Sequence, residues 1–257
     1  SSPRYLEWVH QLADKGFEIA FHNATMGTSL REDTIKALDI LENQFEQLIR
    51  IHCNHGQNLE NLHWGAERYS SFILSKAFAL INRIRPYPNF SGNKPESPYY
   101  WADIADARLS YLRAFTFRRL NGADITPGKP YRDIAKQKNT LFFNTTDAPD
   151  VLAFNKILNP SSIDKLRAQN GWAIISTHLG KGFYHDSKLD ADFTRNMEYL
   201  ASQPGWFVPV SQLLDHLTTE LGVAELSTLE HIRMEYSHVI DRFKHRLLDE
   251  PYYTTLR

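Results

Sequence analysis

Three separated segments of the chain place histidine where a hydrophobic stretch ends. His22 ends a segment that alternates apolar and polar residues, His52 and His55 end a second such segment, and His178 ends a third, more continuously apolar one. Imidazole binds divalent metals and transfers protons near neutral pH. Because the carboxyl ends of the strands of a βα barrel meet at one rim, we expect His22, His55 and His178 to share a polar pocket.

The alternation also predicts the direction of two of these rings. His22 alternates with Phe21 in the first segment, and His52 alternates with Ile51 in the second. Successive side chains of a strand point to opposite faces, and the apolar face packs against helices, so we expect His22 and His52 to point into the barrel. The other histidines are interpreted as surface or core residues: His10, His63, His185, His216, His231, His238 and His245.

Six further residues are candidates for contacts with a ligand. The tryptophans among them are suited to form stacking walls of a groove, and their alternative role is in the core. The charged residues are alternatively solvated or paired with one another. The substrate-binding candidates are Asn54, Asn58, Trp64, Trp101, Asp103 and Arg113.

Strands and helices alternate along the chain, which predicts βα units and a parallel sheet. Hydrophobic periodicity predicts strands at 17–22, 48–54, 111–116, 141–145, 172–178 and 206–210. It predicts helices at 4–15, from a cap at Thr28 or Ser29 to Phe45, and at 66–81, 150–158, 162–170, 192–203, 211–217 and 226–248, with a loop at 85–98.

About six strands are fewer than the eight of a closed (β/α) barrel. We therefore predict an α/β fold with an incomplete (β/α) barrel over residues 1–222, whose first strand lies before the start of this sequence. Residues 223–257 form a C-terminal helical extension. We expect this helix to pack on the outer surface of the barrel, and a contact between copies in a homo-oligomer is the alternative.

The composition excludes several classes of protein. The 257 residues have a formal net charge of -1 with both signs interspersed, which argues against nucleic acid or an anionic membrane as a partner. No apolar run approaches the roughly 20 residues of a membrane span. The single cysteine, Cys53, excludes an internal disulfide and fits a reducing compartment, so we expect a cytoplasmic protein.

The order of several motifs resembles the polysaccharide deacetylase superfamily, also called the NodB-homology or carbohydrate esterase family 4-like superfamily. Residues 16–22, GFEIAFH, resemble its second motif. Residues 174–178, IISTH, followed by 206–211, WFVPVS, resemble its closing part. The segments HCNHGQN, WG and ESPYYWADI, which begin at His52, Trp64 and Glu96, are similar to a divergent branch. The likeness covers roughly residues 4–217 and implies a barrel of the glycoside hydrolase/deacetylase type.

This resemblance implies a metal-dependent hydrolase that removes the acetyl group from an N-acetylated sugar. In the family a divalent metal, often zinc, is held by one aspartate and two histidines, and it polarises the amide carbonyl and activates water. A second aspartate is the general base, and the histidine of the last motif is the general acid. By position, His22 would be a metal ligand and His178 the catalytic acid.

The sequence departs from the family at two places. Met26 occupies the position of the second metal-binding histidine, and no pair of aspartates precedes His22. We therefore expect the metal to be held by His22, His52 and His55, with a carboxylate supplied from upstream. The alternative is a catalytically impaired carbohydrate-binding protein, and a glycosidase that uses Glu96 and Asp103 is a third hypothesis.

Overall fold

The chain forms a mixed α/β fold. The structure, a computed structural model, describes residues 2–84 and 88–248. Within those residues the helices are α1 (Pro3–Asp14), α2 (Arg31–Phe45), α3 (Phe72–Ile84), α4 (Ala102–Arg108), α5 (Val151–Ile157), α6 (Pro160–Ala168), α7 (Ala191–Ser202), α8 (Val210–Leu221) and α9 (Thr228–Leu248). The strands are β1 (Ile51–His52), β2 (Tyr111–Phe117), β3 (Tyr131–Arg132), β4 (Leu141–Asp147), β5 (Ile175–Ser176), β6 (Tyr184–His185), β7 (Lys188–Leu189) and β8 (Ala224–Glu225).

The chain divides into two compact units, and strands β2 and β4 each begin in the first and end in the second. The first unit comprises Ser1–Ala114, Lys129–Phe143 and Val208–Leu226. The second comprises Phe115–Gly128, Asn144–Phe207 and Ser227–Arg257. In the part of the chain that the structure describes, no helix is both long and apolar enough to cross a membrane.

The strand pairing is mostly parallel. In the first unit the strand order is β1-β2-β4-β3-β8. Strand β1 is parallel to β2, and β3 is parallel to β8 and antiparallel to β4. In the second unit the end of β4 pairs in parallel with β5, while β6 and β7 form an antiparallel ribbon. The predicted α/β class is confirmed, and the barrel stays a prediction.

Most of the predicted helices are present, with ends shifted by a few residues. Ser2 caps α1, and Asn159 and Ser162 form a reciprocal capping box on α6. The predicted cap of α2 is wrong, because the N-cap residue is Leu30 and its side chain makes no capping bond. The predicted helix at 66–81 is instead a short 3-10 helix, Gly65–Arg68, followed by α3.

Four predicted strands are reduced or absent, and of 48–54 only β1 (Ile51–His52) remains. Residues 17–22 contribute a single parallel bridge between Phe21 and His52, and Phe17 is 60% exposed. Of 172–178, only β5 is paired, and residues 206–209 have no strand pairing, with Trp206 60% exposed. Apolar alternation therefore overstated these strands, because a strand also needs a neighbouring strand to bond.

The long C-terminal helix is confirmed, and it is an integral part of the second unit. Its His238 ring lies 4.7 Å from that of Phe115, measured between centroids, and Met234 is buried. Its Arg242 is ion-paired with Asp147 at the end of β4. Residues 85–87 of the predicted loop, residues 249–257 of the predicted extension and the side chain of His245 lie outside the described residues.

Each unit has its own apolar core. In the first unit the largest side chains under 2% exposed are Phe21, Leu38, Ile49, Leu62, Trp101, Leu112, Phe143 and Leu214. In the second, a cluster that includes residues of α5 and α6 and packs against α7 contains Ala148, Val151, Phe154, Leu158, Ile163 and Phe183. Burial of these side chains is the main favourable contribution to folding.

The α2 helix offers a matched test of this core. Leu38 is 0% exposed and Ile40 is 54% exposed on the same helix. We expect Leu38→Ala to lower the free energy of unfolding by about 2–5 kcal/mol, because it leaves a cavity. Ile40→Ala should change it by less than about 0.5 kcal/mol. Urea denaturation measures both; an equal cost for the two substitutions would contradict the assigned burial.

Candidate functional site

Two polar loops of the first unit lie together because they follow paired segments. Residues 22–29 follow Phe21, and residues 53–64 follow β1. The backbone N–H of Phe21 donates to the carbonyl oxygen of Ile51, and that of Cys53 donates to the carbonyl oxygen of Phe21. This pairing is parallel, so both loops leave from the same carboxyl edge. In α/β folds, binding and catalytic residues gather at that edge.

The Glu60 carboxylate lies at the centre of the two loops and is 0% exposed. Its Oε1 accepts hydrogen bonds from the Nδ2 atoms of Asn23 and Asn58, each at 2.9 Å. Its Oε2 accepts a hydrogen bond from the backbone N–H of Ser29 at 3.1 Å. A buried carboxylate is tolerated only when its oxygens are bonded in this way, so Glu60 fixes both loops at once.

Asn23 links the loops a second time. Its Oδ1 accepts from the backbone N–H of His55 at 3.0 Å, and its Nδ2 also donates to Oδ1 of Asn61 at 3.0 Å. The residue has a φ of 62°, a left-handed conformation that asparagine adopts more readily than most residues. This backbone conformation places the Asn23 side-chain amide where it bonds to Glu60 and Asn61.

The rings of His22 and His55 lie beside each other at the surface of this network. Their centroids are 4.8 Å apart and the rings are nearly perpendicular. His22 Nδ1 lies 2.7 Å from the carbonyl oxygen of Cys53, which can only accept, so Nδ1 is the donor. In a neutral His22 ring the lone pair is then on Nε2.

The His55 ring is held in the same tautomer. Its Nδ1 lies 3.1 Å from Oδ1 of Asn58. The Nδ2 of Asn58 donates to Glu60 and to the carbonyl oxygens of Thr25 and Gly27, which fixes the amide orientation. Oδ1 of Asn58 therefore accepts from His55 Nδ1–H, and the His55 lone pair is also on Nε2.

His52 does not join this pair. Its parallel bridge with Phe21 places it on the same face as Phe21, where its ring packs 4.9 Å from Trp101 between centroids. The expectation that His22 and His52 share a face is therefore wrong. Both His52 nitrogens contact oxygens, Nδ1 that of the Phe21 carbonyl and Nε2 that of the Asn54 amide. Burial lowers the pKa of His52 to about 3, so the ring is neutral.

The two predicted tryptophans have different environments. Trp101 is 0% exposed, and its Nε1 donates to the carbonyl oxygen of Glu60 at 2.7 Å, so the ring supports the loops from the core. Next to it, a Cβ on Gly92 would lie 1.9 Å from the same oxygen, so this position must be glycine. Trp64 is half-buried, and the Arg68 guanidinium lies 3.8 Å above its ring.

The remaining predicted ligand contacts are bonded within the protein. Asn54 and Asn58 are both buried; Asn54 bonds the backbone of Leu62 through both its oxygen and its nitrogen. Asp103 is held by Arg31 through two charge-assisted bonds of 2.6 and 2.8 Å. These contacts lower the pKa of the Asp103 carboxyl, the hydrogen bond to Arg31 being the largest cause.

Arg113 and Cys53 lie on the same face of the sheet as His22. The register of β1 and β2 places Ile51 opposite Tyr111, and continuing it by two residues brings Arg113 beside Cys53. Burial raises the pKa of the Cys53 thiol, and the charge of Arg113 opposes that rise. The thiol is therefore protonated at neutral pH, and Arg113 supplies positive charge beside it.

His178 belongs to the second unit, where it is exposed in a turn after β5 and its carbonyl oxygen accepts from the N–H of Lys181. Its place in one pocket with His22 stays a prediction. Met26 is 86% exposed in the loop that follows His22. Among the residues that the structure describes, no group of three or more histidine, cysteine, aspartate or glutamate side chains is arranged to hold a metal.

Glu60 and Asn61, which organise the site together with Asn23, were not predicted from the sequence. A signal for them was present in the loop after β1, where three asparagines and a glutamate occur within eight residues, at 54, 58, 60 and 61. Such a density of amides is unusual for a surface loop without a partner to bond. It indicates a polar network that closes on itself.

These observations define a mixed α/β protein with an asparagine- and histidine-lined loop cluster at the carboxyl edge of parallel segments. Comparisons of the chain with protein-family models, with curated proteins and with solved structures find no match. The interpretation of the site therefore depends on its own geometry.

Glu60→Gln tests the central carboxylate. A glutamine amide would turn its N–H donors toward either an asparagine amide or the Ser29 N–H, leaving donors unpaired. We expect a loss of about 1–3 kcal/mol in the free energy of unfolding. The exposed Glu32→Gln is the control and should cost less than about 0.5 kcal/mol. A stability of Glu60→Gln equal to that of the control would refute the network.

His52 makes stability depend on pH. Its pKa is about 3 when folded and about 6.5 when unfolded, so below pH 6.5 only the unfolded chain takes up the proton. Stability is therefore lost as the pH falls from about 6.5 toward 3. We expect His52 to account for about 2 kcal/mol of the loss between pH 7 and pH 5. Urea denaturation at both pH values should show a smaller loss for His52→Phe, whereas the exposed His185→Phe should behave as the wild type.

Proposed function

We propose that the protein is a metal-dependent hydrolase that removes the acetyl group from an N-acetylated sugar, with His22 and His55 as two of the metal ligands. The observation that carries the proposal is the pair of adjacent imidazoles, each held with its lone pair on Nε2. The order of the motifs around His22 and His178 supports the carbohydrate amide as the substrate.

The donor atoms of the imidazole pair are of the kind that bind zinc and similar divalent metals. Neutral imidazole nitrogen is a common zinc ligand, and the second ring nitrogen of such a ligand usually donates to a carbonyl or carboxylate. Here the Cys53 carbonyl and the Asn58 amide oxygen have that role. A bound metal would polarise the amide carbonyl of the substrate and activate water.

The protein's own residues have distinct proposed roles. His22 and His55 hold the metal, and Asn58 orients His55 through its Nδ1. Arg113 contributes positive charge near the developing oxyanion, and Trp64 offers the edge of a sugar-binding surface. His178 is the general acid that protonates the leaving amine.

We further propose that the parallel strands belong to a (β/α) barrel of the glycoside hydrolase/deacetylase type. The single, half-buried cysteine fits a cytoplasmic location. The packing of α9 within its own unit favours a structural role for that helix over a contact between copies.

Metal binding tests the proposal directly. The purified chain should bind Zn²⁺ or Co²⁺, measured by elemental analysis and by the visible absorption of cobalt. We expect His22→Ala and His55→Ala each to weaken binding by more than about 100-fold, since even the partners of metal ligands account for 10–100-fold. His185→Ala is the matched control and should bind as the wild type. Equal metal content in all four proteins would overturn the assignment.

Acetate release tests the reaction. The Zn²⁺-loaded protein should release acetate from N-acetylglucosamine oligomers, and His178→Ala should slow this step by about 10²–10⁴-fold, the usual contribution of a general acid. If no acetate is released while calorimetry detects binding of the same oligomers, the protein is a carbohydrate-binding protein instead. Neither release nor binding would overturn both functions.

A further inference from the structure

The second unit contains a cavity that the proposed reaction does not use. It has a volume of about 470 Å³, within the range of small-molecule sites. Three elements of that unit form its wall: the residues that follow β2, the end of α5 and one face of α6. None of the histidines discussed above lines it.

The charge of this cavity is strongly biased. Its lining includes four basic side chains, Arg118, Arg119, Lys156 and Lys165, against a single acidic one, Asp124. The chain as a whole is balanced, with 29 basic and 30 acidic residues. The excess of positive charge is therefore local, and it is concentrated in a concave site where field lines are focused.

The arginines of the cavity are held in place by carboxylates outside its lining. Arg118 Nε lies 3.6 Å from Asp147 Oδ2, and Arg119 Nε lies 3.8 Å from Asp241 Oδ1. Asp147 is shared with Arg242 of α9. Counting these groups together with the lining, five basic and three acidic side chains leave two positive charges, enough to complement one phosphate dianion.

One face of α6 contributes both neutral and basic side chains to the cavity. Ser162, Lys165, Leu166 and Gln169 follow the i, i+3, i+4, i+7 spacing and so share one side of the helix. Ile163 is buried and lies about 100° around the helix from Ser162. This arrangement puts a cation, an apolar side chain and polar groups on one wall.

The wall formed by the residues that follow β2 is held in position by hydrogen bonds of Asn121. Asn121 donates from Nδ2 to Gln169 Oε1 at 3.3 Å and accepts at Oδ1 from the N–H of Ala123 at 3.1 Å. Three apolar residues, Leu120, Ile157 and Leu166, complete the lining. A ligand that matches the cavity therefore carries an anionic group and an organic part with both polar and apolar surface.

We propose that this cavity binds the phosphate group of a small phosphorylated metabolite of about the size of a sugar phosphate. Arginine and lysine together provide the charge-assisted bonds that phosphate oxygens accept. Free inorganic phosphate shares this chemistry, and the experiment below separates the two. The site goes beyond the proposed hydrolase activity, because its residues and those of the imidazole pair lie in different units.

Calorimetry on the full chain, in a buffer without phosphate or sulfate, tests the site with three compounds: glucose 6-phosphate, inorganic phosphate and glucose. We expect glucose 6-phosphate to bind more tightly than inorganic phosphate, and glucose not to bind. Equal affinity for the two anions would assign the site to free phosphate. Absence of binding by both anions at millimolar concentration would overturn the proposal, as would tighter binding of glucose.

Lys165 is exposed on α6, so its replacement leaves the core intact. Lys165→Glu should weaken the binding of glucose 6-phosphate by about tenfold or more, the usual loss for a charge-assisted bond, and Lys165→Gln should have an intermediate effect. Lys188→Glu, on β7 of the same unit and outside the cavity lining, makes the same charge change and should bind as the wild type. An equal loss in the Lys165→Glu and Lys188→Glu variants would show only a general charge effect and refute the site.

Discussion

The polar loops of the first unit depend on one buried carboxylate. Glu60 brings a negative charge to a position that water does not reach, where an unbonded carboxylate would cost several kcal/mol. Hydrogen bonds from two asparagine amides and a backbone N–H offset that free-energy cost. Asn23 and Ser29 belong to one loop, 37 and 31 residues before Glu60 in sequence, and Asn58 belongs to the other, so neither loop can move without leaving the other with an unpaired group.

The same glutamate connects the loops to the core through its backbone. Its carbonyl oxygen accepts from the Trp101 indole, and Gly92 packs against it so closely that no side chain fits. Trp101 also packs against Phe21 and His52, so it links the polar network to the aromatic side chains of the core. A site built this way keeps His22 and His55 in fixed positions, which binding and catalysis both require.

The sequence predicted the helices better than it predicted which strands pair and which polar groups bond to each other. Helices such as α1 and α6 carry their own signals, a capping serine or asparagine followed by proline, and these signals are local. Phe17 and Trp206 satisfied the apolar pattern of strands and are nevertheless exposed, because strand formation depends on a neighbour that local pattern does not reveal. For the same reason Ser29, expected with Thr28 as a possible cap of α2, places its hydroxyl against that of Thr25 and donates its backbone N–H to Glu60. Histidines at the ends of segments marked the region of the site, but the glutamate that organises it had no periodic signal.

The pairing of Phe21 with His52 decides which histidines can act together. A strand with period two has only two faces, so the register between residues 17–22 and β1 determines whether His22 shares a side with His52 or with Cys53. In the structure His52 lies with Phe21, loses contact with water and is kept neutral, whereas His22 lies beside His55. A shift of the first segment by one residue would place His22 on the same side as His52 and turn its ring toward the core. The packing of Phe21 against His52 and Trp101 opposes that shift, because Phe21 would then have to leave the core. The chemistry available to the site is therefore set by hydrophobic packing on the other face of the sheet.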